Sequence, residues 1–95
     1  PEDCTGMEDV REAMDTLDRE IIHLIGQRSG YVRAAAKFKT GEASVKAPER
    51  QKAMLEERRR WAIEEALSPD VVEKMYRDLV SYFIDRELED WKAGD

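Results

Sequence analysis

The chain has 95 residues, a net charge of −6, 40% charged residues and one cysteine. We expect residues 1–95 to form a single domain, because a chain this short builds one core. The acidic balance argues against nucleic acid or an anionic membrane as the main partner, and no apolar run approaches the length of a membrane span. Cys4 alone cannot form an internal disulfide, which favours a reducing compartment and predicts a cytoplasmic protein.

The first predicted helix runs from Met7 to about Phe38. Thr5 and Glu8 fit a capping box at its start. Its apolar residues recur at steps of three and four, which is typical of a helix that packs one seam against another helix. At about 1.5 Å per residue the helix is about 48 Å long, too long for a chain of this size to cover by itself. The seam consists of Met7, Val10, Met14, Leu17, Ile21, Leu24, Tyr31, Ala35 and Phe38.

Three cations lie along this seam. Arg28 occupies a position where the repeat predicts an apolar residue, and Arg11 and Lys39 lie on the flank. For Arg28 alone, an interface ion pair or an arginine stem laid along the apolar surface remains an open alternative. Three cations of one sign indicate a receptor for an anion, since buried charges need partners.

The second helix is predicted to begin at Pro48, since proline suits a first helical position. Residues 40–47 before it indicate a mobile loop, which we expect to close over bound ligand. Ala47 offers no side-chain oxygen to cap the helix. Arg50 lies one turn before the apolar residue Met54. Three successive arginines, Arg58, Arg59 and Arg60, are predicted to be solvated and paired with the glutamates at positions 56, 57, 64 and 65.

The third helix has a strong start signal in Ser68, Pro69 and Asp70. It carries a broad apolar face: Val71, Val72, Met75, Tyr76, Leu79, Val80, Phe83, Ile84, Leu88 and Trp91. Glu87 falls inside this face. A carboxylate in that position is normally paired with a buried cation, so a structural role is the simplest alternative to a functional one.

The chain lacks the residues for several kinds of chemistry. Its only histidine, His23, lies on the outer side of the first helix. There is no Cys/His cluster with metal-ligand spacing, no nucleophile with a histidine base and no glycine-rich phosphate loop. We therefore predict neither a metal nor a cofactor.

The remaining inward-facing set can bind a small polyanion and stabilise charge that develops during a reaction. It would suit a reaction that needs orientation and electrostatics without a covalent step. These residues are Arg11, Arg28, Lys39, Arg50 and Glu87.

Helix geometry divides these cations into two groups. Arg28 and Lys39 are about 16 Å apart along the helix, close enough for their side chains to grip one ligand. Arg11 lies about 26 Å from Arg28, beyond reach of the same ligand. An antiparallel second copy of the helix would bring the partner's Arg11 to this site. The sequence therefore predicts a homodimer with two shared sites.

A set of short motifs covers nearly the whole chain in a characteristic order. They are Pro-Glu-Asp-Cys-Thr-Gly at 1–6, Asp9-Val10-Arg11, Leu17-Asp18, Gln27-Arg28, Tyr31-Val32, Lys37-Phe38-Lys39, Ala47-Pro48-Glu49-Arg50 and Met54-Leu55-Glu56-Glu57-Arg58. In order and spacing the chain resembles the all-helical chorismate mutases, and most closely their isochorismate-pyruvate lyase branch of salicylate biosynthesis.

The resemblance implies an all-α fold. It also implies an intertwined homodimer of three-helix chains, in which each active site uses residues of both chains. It implies that Arg28 and the partner's Arg11 each grip a substrate carboxylate, while Lys39 bonds the ether oxygen whose C–O bond breaks. Arg50 would support the substrate from the second helix, and we expect Gln51 and Ile84 to contact it as well. Glu87 stands where the family commonly has a glutamine that donates to the ether oxygen; we expect it to act in its protonated form.

Three functions follow as alternatives. The first is lyase conversion of isochorismate, a small dicarboxylate, to salicylate and pyruvate. The second is mutase conversion of chorismate to prephenate. Gln51, where many mutases have glutamate, and the amino-terminal Cys-Thr-Gly favour the lyase. The third is a non-enzymatic helical dimer for protein binding. It would need an inward carboxylate for each inward cation, and the candidates Asp15, Asp18 and Glu87 are too few to neutralise four cations.

Overall fold

The computed structural model describes residues 1–38 and 47–93, with side chains as far as Asp90. Within this part there are three α-helices and no strand: α1 (Met7–Ala35), α2 (Pro48–Glu64) and α3 (Pro69–Ala93), with a 3₁₀ helix (Ala36–Phe38) after α1. The predictions of an all-helical chain and of one long first helix are confirmed. Lys39, residues 40–46 of the predicted loop and the Trp91 side chain lie outside the described residues.

The chain divides into two compact units, residues 1–34 and 35–95. The first contains nearly all of α1, and the second contains α2 and α3. The single domain expected from the length stays a prediction.

The carboxylate that caps the start of α1 differs from the predicted one. Thr5 donates hydrogen bonds to Asp9 Oδ2 from its backbone N–H (2.9 Å) and from its hydroxyl (2.7 Å). The prediction of Glu8 was wrong by one position. Because α1 begins at Met7, Asp9 is its third residue, the position from which a carboxylate reaches back over the helix start. The two bonds from Thr5 favour the ionised form and lower the pKa of Asp9.

Most of the apolar seam of α1 is exposed in the single chain, while Val10 and Ala35 are partly buried. Leu17 is 57% exposed and Leu24 is 59% exposed, and α1 contains no buried residue. A helix with an apolar stripe normally gains its stability by packing that stripe against another surface.

The second unit is a helical hairpin with its own small core. Met54 and Leu55 of α2 form a buried cluster with Val80 of α3, and Tyr76 and Ile84 pack against it. The rest of the apolar face predicted for α3 varies in burial: Val71 and Met75 are exposed, while Val72, Leu79, Phe83 and Leu88 are partly buried.

Local signals set the starts of both hairpin helices as predicted. Pro48 is the first residue of α2, and Ala47 makes no side-chain cap. At the start of α3, Ser68 Oγ accepts a hydrogen bond from the backbone N–H of Val71 (3.3 Å). A serine followed by proline needs no long-range contact to begin a helix.

The turn between α2 and α3 is a Schellman motif. The backbone N–H of Leu67 donates to the carbonyl of Ala62 (2.8 Å), and that of Ala66 donates to the carbonyl of Ile63 (3.1 Å). This arrangement requires a left-handed residue just after the helix, usually glycine. Here the residue is Ala66, with φ of 59°.

The arginine triplet pairs differently from the sequence prediction in two of its three members. Arg60 pairs with Glu57 of its own helix, as predicted. Arg59 instead pairs with Asp70 (2.8 Å) and Glu73 (3.0 Å) of α3. The antiparallel packing of α3 on α2 brings these acids beside Arg59, which periodicity within α2 could not reveal.

Arg58 is partly buried rather than solvated. Its guanidinium carbon lies 4.4 Å from the ring centroid of Trp61 and 5.5 Å from that of Tyr76. Its Nε is buried and has no hydrogen-bond partner among the described residues. Stacking on aromatic faces is a favourable setting for a guanidinium, which is weakly hydrated and planar.

Ala66→Gly is expected to stabilise the protein. A left-handed conformation costs an L-residue about 1–2 kcal/mol, and the larger unfolded-state freedom of glycine offsets about 0.5–1 kcal/mol of that relief. The expected gain is therefore about 0.5–1 kcal/mol, measured by urea unfolding. The matched control is Ala53→Gly, at an exposed position inside α2, which should lose about 1 kcal/mol. An Ala66→Gly protein less stable than the parent would contradict the assignment of strain to this turn.

Candidate active site

A pocket of about 600 Å³ lies between α2 and α3. The hairpin is antiparallel, so residues 48–56 of α2 face residues 77–85 of α3 across it. This volume falls in the range of small-molecule sites in proteins. The lining residues are Pro48, Gln51, Lys52, Leu55 and Glu56 from α2, and Arg77, Ser81, Ile84 and Asp85 from α3.

Two of the predicted substrate-binding residues meet in this pocket. Gln51 comes from the first turns of α2, and Ile84 comes from α3. Ile84 also packs against the buried cluster of Met54, Leu55 and Val80, to which the pocket-lining Leu55 belongs. One wall of the pocket is therefore part of the hairpin core, which holds it in place.

Arg50 and Glu87 belong to the same unit as the pocket but do not line it. Arg50 is exposed and is the third residue of α2. Glu87 lies one turn after Ile84 on α3, is partly buried and is not without an interaction partner. Their predicted roles toward a substrate stay predictions.

The two arginines of α1 that are predicted to bind substrate lie on one unbroken helix. Arg11 is exposed, whereas Arg28 is partly buried and is not without an interaction partner. Since α1 runs continuously from Met7 to Ala35, these residues are about 26 Å apart along its axis. No small substrate can contact both from the same helix. Lys39, the third predicted cation of this set, lies outside the described residues.

Four charged residues of the pocket were not anticipated from the sequence. They are Lys52 and Glu56 on α2, and Arg77 and Asp85 on α3. These residues lie at the edges of the apolar faces from which the site residues were predicted. The available signal was spacing: Lys52 and Glu56 are four residues apart, and Arg77, Ser81 and Asp85 continue at the same step. Such rows border the core-facing stripe of a helix.

Arg77 is joined to a chain of ion pairs. Its Nε donates to Glu73 Oε2 at 2.8 Å, and the other oxygen of Glu73 accepts from Arg59 Nη1 at 3.0 Å. Arg59 Nη1 also donates to Asp70. Arg77, followed by Arg59, lowers the pKa of Glu73, and the hydrogen bond to Asp70 is the main cause that raises the pKa of Arg59. Both shifts favour the charged forms of Glu73 and Arg59.

In the part of the chain that the structure describes, no group of three or more histidine, cysteine or carboxylate side chains could hold a metal ion. Among the helices described, none combines the length and apolar character needed to cross a lipid bilayer.

Comparison with known proteins agrees with the all-helical fold. The family model for chorismate mutase type II matches residues 10–88. The chain belongs to this family, and the resemblance inferred from its motifs is confirmed.

Two relatives have sequences similar to this chain. It is 45% identical over 92 residues to the isochorismate pyruvate lyase of Pseudomonas aeruginosa, an alignment that covers 97% of this chain and 91% of the relative. It is 38% identical over 72 residues to the T-protein of Haemophilus influenzae, which covers 75% of this chain but 19% of that protein.

Proposed function

We propose that this protein is an isochorismate-pyruvate lyase, which converts isochorismate to salicylate and pyruvate. The observation that carries this proposal is the 45% identity, over 97% of the chain, to a protein named isochorismate pyruvate lyase. The second candidate is the mutase reaction from chorismate to prephenate, which the chorismate mutase family model favours. The substrate in either case is a small dicarboxylate. We place the reaction in the cytoplasm.

The lyase reaction needs no covalent intermediate. One hydrogen of the substrate ring moves to the terminal carbon of the enolpyruvyl group while the C–O ether bond breaks. Pyruvate leaves, and the ring becomes aromatic salicylate. All electrons move within the substrate, so the protein supplies orientation and charge stabilisation.

The cations take roles that follow from the charge of the substrate. Arg28 and the partner's Arg11 bind carboxylates, and Arg50 supports the substrate from α2. Lys39 donates to the ether oxygen, where negative charge grows as the bond breaks. Glu87 donates a second hydrogen bond there when protonated, because an ionised carboxylate can only accept. Gln51 and Ile84 contact the substrate from the pocket between α2 and α3.

A homodimer with two shared sites completes this proposal. The exposed seam of α1 offers the surface for a second copy. The separation of about 26 Å between Arg11 and Arg28 means that one chain cannot supply both to one substrate.

Incubation with each substrate separately tests the proposed reaction. Isochorismate should give salicylate and pyruvate faster than chorismate gives prephenate. The fluorescence of salicylate measures its formation. In heavy water the methyl group of pyruvate should contain no solvent deuterium when it forms, since the hydrogen comes from the ring. Faster prephenate formation would assign the mutase. Turnover of neither substrate would leave the protein-binding dimer as the better hypothesis.

Mixed dimers test whether the sites are shared. Arg11→Ala and Arg28→Ala homodimers should each be nearly inactive, because every site lacks one arginine. After the two variants are refolded together, each mixed dimer should contain one intact site and one doubly deficient site. Activity should therefore reappear in proportion to the mixed dimers, which a charge tag on one chain separates by ion exchange. Inactive mixed dimers would contradict shared sites.

Glu87→Gln tests the donor role of Glu87. The amide has nearly the same shape and donates at every pH, whereas the acid donates only when protonated. Turnover of the parent protein should fall as pH rises, and the glutamine variant should lose this alkaline fall. The control is Glu89→Gln, at an exposed position two residues further along α3, which should keep the parent profile. If Glu87 has only a structural role, the glutamine variant should instead keep the pH profile of the parent or be less active at every pH.

A further inference from the structure

We infer that Arg77 is a further substrate-binding residue, and that Glu73 orients its guanidinium to receive a carboxylate of the dianionic substrate. This inference rests on the proposed function, because it assigns a role in the same site. It goes beyond the residues predicted from the sequence, none of which lies between positions 52 and 83 of the hairpin.

The position of Arg77 is the first reason. Arg77 lines the same pocket as Gln51 and Ile84. It lies seven residues before Ile84 on α3, which is about 10 Å along the helix axis. A long arginine side chain and a substrate with two separated carboxylates can together cover such a distance. Arg77 is therefore placed at one end of a pocket whose other end holds predicted substrate contacts.

The contact with Glu73 is the second reason. Arg77 is 61% exposed, whereas Glu73 is only 25% exposed. An exposed arginine usually samples many conformations and gains little from a surface ion pair. Here the accepting carboxylate is itself held through its other oxygen by Arg59, which Asp70 holds in turn.

The planar shape of the guanidinium makes the contact between Arg77 and Glu73 relevant to substrate binding. The group is planar, so donation from Nε fixes the orientation of the whole plane. The two terminal nitrogens also carry donors, which suit a carboxylate in a two-point hydrogen bond. A guanidinium that is oriented before the substrate arrives loses less entropy on binding it.

The charge of the pocket is the third reason. Its lining contains the cations Lys52 and Arg77 and the carboxylates Glu56 and Asp85. Their formal charges cancel, so the hairpin wall neither attracts nor repels a dianion strongly. Loss of Arg77 would leave the carboxylates in excess and make this wall repel the substrate. Arg77 should therefore affect binding more than an equally charged residue elsewhere on α3.

Steady-state kinetics of Arg77→Gln and Arg77→Lys test the inference. With isochorismate, Arg77→Gln should raise KM about tenfold and change kcat by less than about twofold, as expected when a charged hydrogen bond made equally in ground and transition states is removed. Arg77→Lys should give an intermediate KM, because an ammonium keeps the charge but has no planar fork. Calorimetric titration with isochorismate, under conditions where turnover is corrected for, should show the same order of affinities.

Lys74→Gln is the matched control. It removes one positive charge from the same helix. Lys74 pairs with Asp78, four residues further along, at 2.9 Å, and does not line the described pocket. It should keep the parent KM. If Arg77→Gln also keeps the parent KM, or changes it no more than Lys74→Gln does, the inference is wrong while the lyase activity of the parent stands. If Arg77→Lys keeps the KM of the parent, the proposed role of the oriented guanidinium plane in substrate binding is wrong.

The same experiment separates this inference from the proposed function. Thermal unfolding of each variant tests the structural alternative, because a purely structural Arg77 would lower the unfolding temperature and leave KM unchanged. If the parent acts on chorismate instead of isochorismate, the same comparison is made with chorismate. A parent that binds neither dianion overturns both proposals together.

Discussion

The buried cluster of Met54, Leu55 and Val80 is the packing contact on which the rest of the hairpin depends. It holds α3 antiparallel to α2 and so fixes which residues of the two helices face each other. The pocket follows from it, because Leu55 and the adjacent Ile84 serve both the core and the pocket wall. The pairing of Arg59 with Asp70 and Glu73 also follows, because these residues are brought side by side only in this register.

The first helix is governed by a different constraint, the rigidity of an unbroken α-helix. Because α1 continues from Met7 to Ala35, the distance between Arg11 and Arg28 follows directly from the rise per residue. The helix cannot bend enough to bring them to one small ligand. Most of its apolar seam is exposed in the single chain. Both facts favour a second copy of the chain as the partner, and this is why the proposed sites combine residues of two chains.

The proposed chemistry suits a protein that works through charge and position. A pericyclic reaction needs its substrate held in a reactive conformation and its developing charge met by fixed donors. Arginines are well suited to this task, because their planar groups can be oriented by neighbouring carboxylates. The chain from Asp70 through Arg59 and Glu73 to Arg77 is such an arrangement. It links the turn of the hairpin to the pocket where the substrate is proposed to bind.

The amino-acid sequence by itself determined the features that depend on neighbouring residues. Pro48 and the Ser68-Pro69 pair marked two helix starts, the heptad spacing predicted one long helix, and the order of motifs identified the family. Asp9, which replaces the predicted Glu8 at the start of α1, differs by a single position because only the exact helix boundary decides between them. Tertiary structure decided what depends on the register between helices. Arg59 pairs with acids of α3, and Arg58 lies over Tyr76 of α3 as well as over Trp61 of its own helix. Arg77 lines the pocket with residues of α2. Packing of the two helices decides these contacts, and the pattern within one helix does not name the partner on the other.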